Sequence, residues 1–142
     1  MAQVTQSIRI AAPAGEVWAM IGDFHGLAAW QPLVAKSEKL EEGGVVYRRL
    51  TLADGAVVVE SMDDHDDERR SSSYTMTDVG PLPLASYRST IAVEEAGPER
   101  SVVEWTGTFE PNGAPLEEVA RAVSGIYAAG LGAIAERFGA AG

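Results

Sequence analysis

Few side chains in this sequence are equipped for acid–base chemistry. There are two histidines, His25 and His65, and no cysteine. The missing cysteines remove disulfides, thiolate metal sites and a Cys nucleophile together. What remains is an arginine, a glutamate and a set of tyrosines that strand alternation brings to one side. In the run Val45–Leu52, the residues Val46, Arg48, Leu50 and Leu52 share a face, and Tyr47, Arg49 and Thr51 share the other. The two leucines mark the first face as interior, which carries Arg48 inward. In the next run, Val57–Met62, the inward set is Val58, Glu60 and Met62. Ala53-Asp54-Gly55 between the runs reads as a hairpin turn, so Arg48 and Glu60 lie on paired strands. A buried charge is costly unless paired, which makes these two natural partners. Such a pair could hold the polar end of a ligand, or polarise a carbonyl and remove a proton. The plainer reading is a structural ion pair that fixes the sheet interior.

Tyr74 is the third catalytic candidate, because a phenol can donate to a carbonyl or enolate oxygen. The same parity argument turns Met76, Tyr87, Trp105 and Phe109 inward, with Tyr127 and Leu131 supplied by the last helix. With Met62 they would line an aromatic and apolar small-molecule pocket. Trp105 and Trp30 read first as packing residues; Trp30 could also stand at the pocket mouth, which His25 borders from the turn between two short helices. His25 is an obvious acid–base candidate near pH 7; its plainer reading is an exposed loop histidine. His65 sits in the run Asp63-Asp64-His65-Asp66-Asp67-Glu68. The spacing fits no metal loop, and the run reads as a solvated charged turn, so no metal site is expected.

These residues need elements to position them. Pro115 to Phe138 reads as one long amphipathic helix, with Leu116, Val119, Val123, Ile126, Tyr127, Leu131, Ile134 and Phe138 on its apolar stripe. Pro115 suits the first turn and Gly139 the stop. Gly125, Gly130 and Gly132 each weaken it by roughly 1 kcal/mol relative to Ala, so packing must compensate. Upstream, Val4–Ile10 alternates as a strand. Pro13–Ile21 reads as a short helix, and Asp23 caps a second turn through Phe24, Leu27 and Ala28. From Leu33 the period is two: strands are expected over Leu33–Glu41, Val45–Leu52, Val57–Met62, Ser72–Thr77, Ala85–Val93 and Val102–Phe109. The charged run Asp63–Arg70 is expected as a turn. The order is one strand, two short helices, six strands in a meander and a long helix. A sheet of this kind must bury one face, and the sizeable partner is the terminal helix.

The 142 residues are expected to form one domain, 1–142, with a real core. A formal charge of −10 argues against nucleic-acid binding and against attachment to an anionic bilayer. The N-terminus lacks a signal-peptide pattern, and no apolar run reaches the ~18 residues of a membrane span, so a cytoplasmic location is expected. Walker, Rossmann, HExxH and nucleophile-elbow motifs are not found. No cofactor is called for.

The stretch Phe24-His25-Gly26-Leu27-Ala28-Ala29-Trp30-Gln31-Pro32 resembles the "D-F-x-x-x-x-x-W-x-P" segment of bacterial polyketide cyclase/dehydrase-type proteins. Tyr47 to Gly55 resembles their "R-x-L-x-L-x-D-G" hairpin, and Val59-Glu60-Ser61-Met62 the "E-x-L" strand after it. Tyr74, Pro81 to Tyr87, and Val103 to Phe109 also fit, so the likeness covers nearly the whole chain. These proteins belong to the SRPBCC, or START-like, superfamily, which includes birch-pollen-allergen-like proteins. The resemblance implies an α+β helix-grip fold: a seven-stranded antiparallel sheet wrapped around a long C-terminal helix, with two short helices after strand 1 and a cavity between sheet and helix. In hormone-receptor members of the superfamily, loops between these strands act as gates, and by that analogy Leu82 and Leu84, in the Gly80–Leu84 loop, could cover the pocket.

Two functions follow. One is binding of a hydrophobic or aromatic, lipid- or polyketide-like small molecule in the cavity. The other is a cofactor-independent cyclase, dehydratase or related lyase using Arg48, Glu60 and Tyr74 in the same place. A third class, an interaction protein with a filled core, would show no accessible void. Partners beyond a small molecule are not expected, and the chain would act as a monomer or homodimer.

Overall fold

The structure is a computed structural model and describes residues 2–141. Strand β1 (Ala2–Ile10) leads into helix α1 (Ala14–Ile21) and a 3-10 helix (Phe24–Ala29). Six strands follow: β2 (Val34–Glu42), β3 (Val45–Leu52), β4 (Val57–Asp66), β5 (Ser71–Asp78), β6 (Leu84–Gly97) and β7 (Arg100–Pro111). Helix α2 (Leu116–Phe138) closes the chain. The strands form a single antiparallel sheet in the order β1-β7-β6-β5-β4-β3-β2. This is the α+β helix-grip fold implied by the resemblance, with its short helical pair after strand 1.

The meander arises because each strand pairs with its sequence neighbour, and β1 closes on β7 at the far edge. α2 lies against β1 and β7. Its buried stripe is Val119, Val123, Tyr127, Gly130, Leu131 and Ile134. Leu116, expected on that stripe, is 52% exposed because it precedes the point where the helix meets the sheet. Gln6 of β1 ties the two together by donating to the Ser124 carbonyl (2.8 Å).

Two glycines allow the tight fit. A Cβ on Gly130 would sit 2.7 Å from both the Trp105 ring and Gln31 Nε2. A Cβ on Gly107 of β7 would run into the Tyr127 hydroxyl. The helix thus loses propensity at Gly130 and gains close aromatic packing. Gly125 and Gly132 are exposed with open space around them, and nothing in the structure explains them.

The run Asp63–Arg70 is not one turn. β4 continues through Asp66, with Asp64, His65 and Asp66 paired to Ser73, Ser72 and Ser71. Charge misled the reading, because an outward strand face carries charge as readily as a loop does. The reversal is confined to Asp67–Arg70. There the Asp66 carboxylate accepts from the Glu68 and Arg69 backbone N–H groups (3.0 and 3.1 Å), and Arg70 takes a positive φ of 53°. β6 and β7 also run longer than expected, to Gly97 and from Arg100.

Candidate functional site

Between the sheet and α2 lies a cavity of about 70 Å3. Leu27 and Gln31 wall it from the helical segment, and Val34, Leu50, Leu52, Val58 and Glu60 from β2 to β4. Tyr74, Met76, Leu82, Leu84, Tyr87 and Trp105 come from β5, β6, β7 and the loop before β6; Val123 and Ile126 come from α2. Leu52, Met76, Leu82 and Ile126 are half-buried and form an aliphatic rim, while the remaining lining residues are buried. Glu60 is the one charged residue in this wall.

Glu60 is paired as expected. It faces Arg48 across the β3–β4 ladder. Arg48 Nε donates to Glu60 Oε1 at 2.8 Å, and Nη2 lies 2.7 Å from the same oxygen. Arg48 Nη1 donates to the Phe24 carbonyl at 2.7 Å. The guanidinium carbon stands 4.1 Å from the Phe24 ring centroid and 4.6 Å from that of Tyr74. Each guanidinium nitrogen therefore has a protein partner, and the Phe24 and Tyr74 rings, whose centroids are 6.4 Å apart, both pack against the group. Arg48 does not line the cavity; it lies behind Glu60. Both contacts to the carboxylate fall on Oε1, and among the described residues no hydrogen bond reaches Oε2. Burial holds the Glu60 pKa above its ordinary value, with the Arg48 charge and hydrogen bond opposing.

The tyrosines form a directed chain. Ser89 Oγ donates to the Thr106 carbonyl (3.1 Å), which can only accept. The Tyr127 hydroxyl, 3.0 Å from Ser89 Oγ, therefore donates to Ser89, and the Tyr87 hydroxyl donates to Tyr127 at 2.5 Å. Tyr74 accepts from Trp105 Nε1 (2.9 Å), which leaves its own O–H proton available. Burial pushes the Tyr74, Tyr87 and Tyr127 phenols up, so all three stay protonated donors at neutral pH. Gln31 is held in orientation: Nε2 donates to the Ile126 carbonyl (3.1 Å) and Oε1 accepts from the Leu33 N–H (3.3 Å).

The structure brings part of the expected site together. Glu60, Tyr74, Met76, Leu82, Tyr87 and Trp105 line the cavity. Arg48 sits one layer back, and Trp30 touches the small void of about 10 Å3 beside it. Trp30 packs on Trp105 at 5.8 Å rather than standing at the mouth. Phe109, Tyr127 and Leu131 are not in the wall; they are 0%, 0% and 3% exposed in solid core under α2. Met62 is also outside the wall, because β4 bulges between Met62 and Asp64 and turns the strand. His25 is half-buried and edge-on to Phe24 (5.3 Å), with Nδ1 buried and unpartnered. Burial, then the Lys39 charge, lowers its pKa against the pull of Asp23. Gln31, Val58, Leu50 and Val123 belong to the site. Strand parity placed Leu50 and Val58 inward, but Gln31 gave no sequence signal beyond its place before Pro32.

A second acid-centred cluster lies at the other end of β4. Asp67 Oδ1 accepts from Trp18 Nε1 (2.9 Å) and lies 3.0 Å from His65 Nε2. The other ring nitrogen, Nδ1, is 3.4 Å from Ser72 Oγ. These are the residue types of a hydrolase triad, but with burial inverted. Asp67 is 78% exposed while Ser72 is 5% exposed, so no acyl group can reach the hydroxyl. The cluster pins α1 onto β4, with Trp18 stacked on His65 at 5.4 Å. Among the described residues, no group of three or more His, Cys, Asp or Glu side chains could hold a metal ion, and no helix is long and apolar enough to cross a membrane.

Comparisons with known proteins agree with this architecture. Residues 1–139 match the family described as "Polyketide cyclase / dehydrase and lipid transport". A search of curated proteins finds no match. Among solved structures, the protein XoxI from Bacillus cereus is 37% identical, with a TM-score of 0.90, covering 97% of this chain and 96% of that one. An uncharacterised protein from Bacillus thuringiensis is also 37% identical, with a TM-score of 0.89 and coverage of 96% and 98%. The Zhui aromatase/cyclase of a Streptomyces species shares the fold at 24% identity, with a TM-score of 0.82 and coverage of 96% and 92%. With a family match along nearly its whole length and a helix-grip sheet around an apolar cavity, the chain belongs to the polyketide cyclase/dehydrase and lipid-transport family.

Proposed function

We propose that the protein binds a hydrophobic or aromatic small molecule in the cavity between the sheet and α2. The observation that carries this is an apolar void, walled by buried side chains and rimmed by four half-buried aliphatic ones. A core built only for stability closes such a space, since unfilled volume costs packing energy. At about 70 Å3 the void is smaller than the ~150 Å3 cavity that holds benzene in an engineered core. Binding therefore requires the rim to move. Met76 and Leu82 suit that role: methionine is unbranched and adaptable, and Leu82 sits on the short loop before β6. The neutral dye N-phenyl-1-naphthylamine tests the reading. Its fluorescence should rise saturably with one site per chain, and Val58→Phe, which fills the void, should remove the rise. No saturable signal, or equal binding by the variant, would contradict the proposal.

Glu60 favours a second reading, catalysis without a cofactor. A carboxylate whose pKa burial has raised, with one oxygen free of hydrogen bonds, is suited to take a proton. Tyr74 retains an O–H to hold the oxygen of a carbonyl as it gains electrons. A C–H beside that carbonyl would give its proton to Glu60 and its electron pair to the C–C–O unit. Ring closure or loss of water, the activities named in the family's description, can start from such a step. Deuterium exchange of the methyl protons of 2-acetylnaphthalene should be catalysed by the wild type and lost in Glu60→Gln. Equal exchange by both proteins would remove Glu60 from any mechanism.

A further inference from the structure

The wall of the cavity has an uneven polar inventory. Arg48 is the nearest cation, yet it stands outside the cavity wall, with each of its nitrogens on Glu60 or the Phe24 carbonyl and the Phe24 and Tyr74 rings packed against it. A ligand carboxylate entering the cavity meets no free cation. It meets instead the Glu60 carboxylate, in surroundings where like charges repel far more strongly than in water. The amide of Gln31 is held by Ile126 and Leu33. The Tyr87 proton is given to Tyr127. Apart from the second N–H and lone pair of the Gln31 amide, two polar functions of the wall remain uncommitted: the Oε2 acceptor of Glu60 and the O–H donor of Tyr74. They are complementary to a single ligand hydroxyl, which donates one hydrogen bond and accepts another.

Resting on the binding function proposed above, we infer that Glu60 is a specificity-determining residue: the cavity selects uncharged hydroxyl-bearing aromatic ligands, such as phenols and enols, and rejects carboxylates of the same shape. A charge-assisted hydrogen bond to Glu60 strengthens binding of the hydroxyl compound, and the desolvated second anion weakens binding of the acid. The selectivity belongs to the arrangement of Glu60 in front of Arg48. Removing the Glu60 charge leaves the Arg48 cation behind the wall without a counter-ion, so the preference should move toward anions.

Calorimetric titration at pH 7.5 with 2-naphthol, 2-methylnaphthalene and 2-naphthoate tests this, with wild type and Glu60→Gln. In the wild type, 2-naphthol should bind at least tenfold tighter than 2-methylnaphthalene, and 2-naphthoate should bind weakest. In Glu60→Gln, the affinity ratio of naphthoate to naphthol should rise at least tenfold. The wild-type ranking stands as a test by itself should the variant not fold. Wild-type naphthoate within threefold of naphthol, or an unchanged ratio in a folded variant, overturns the inference while leaving the binding function standing. Binding of none of the three by the wild type overturns that function and the inference with it.

Discussion

The space between the sheet and α2 has two halves that are built by different rules. On the β1–β7 side the helix lies directly on the strands, and Ile10, Val103, Phe109, Tyr127 and Ile134 are all 0% exposed. Gly107 and Gly130 let aromatic groups approach to contact. On the β3–β5 side aliphatic and thioether side chains, with Glu60 and Tyr74 among them, face the helix, the helix is farther away, and a void remains. The polar groups differ in the same way. The packed half commits the Tyr87, Tyr127 and Ser89 hydroxyls to one hydrogen-bonded chain. The open half keeps Glu60 Oε2 and the Tyr74 proton in reserve. One half supplies rigidity, and the other, held by it, can afford to be incomplete.

The comparison breaks most severely at the ion pair. Arg48→Ala or Glu60→Ala strands a buried charge and should cost about 3–5 kcal/mol in denaturant unfolding. Arg48→Met with Glu60→Leu removes both charges and should cost much less than the sum of the single changes. A double variant as unstable as that sum would show that the two groups do not act as a pair.

The glycines sharpen the comparison at a smaller scale. Gly130→Ala gains helix propensity but pushes a methyl against Trp105, Trp30 and Gln31, so it should destabilise by about 1–3 kcal/mol. Gly125→Ala and Gly132→Ala meet open space and should stabilise by up to about 1 kcal/mol. Thermal unfolding that moves all three variants in one direction would contradict the close approach at Gly130.

The smallest effects are in pH. The folded Glu60 pKa lies above its ordinary 4.5, so the unfolded chain loses this proton first as pH rises. The Glu60 contribution to stability is thus fully present below 4.5 and is lost as pH rises through the folded midpoint. His25 runs the other way: its lowered pKa gives stability that is present above 6.5 and lost as pH falls through its folded midpoint. Side-chain NMR titration should place the Glu60 midpoint above 4.5 and the His25 midpoint below 6.5. Midpoints on the opposite sides would reverse both signs.

The sequence showed the fold and one wall of the site because both depend on short periods. Alternation placed Arg48, Leu50, Val58, Glu60, Tyr74 and Tyr87 inward, and each is buried. It failed where the ladder slips. β4 bulges between Val59 and Glu60 and again after Met62, so Ser61 is buried beside Glu60 while Met62 leaves the wall. In β5, Ser72, Ser73 and Tyr74 are buried in succession, which no period of two can anticipate. Strand parity turned Phe109 inward and helix periodicity did the same for Tyr127 and Leu131, but neither shows which inward residues meet packed core and which meet the void. Gln31 became visible only when its amide met the Ile126 carbonyl on α2.

Methyl NMR during titration with 2-naphthol tests the central claim most directly. We expect saturable shifts at Leu50, Leu52, Val58, Met76, Leu82 and Val123, with Val103 and Ile134 in the packed half nearly still. Shifts scattered over the outer sheet face, or none at saturating probe, would show that the void is a packing defect rather than a binding site.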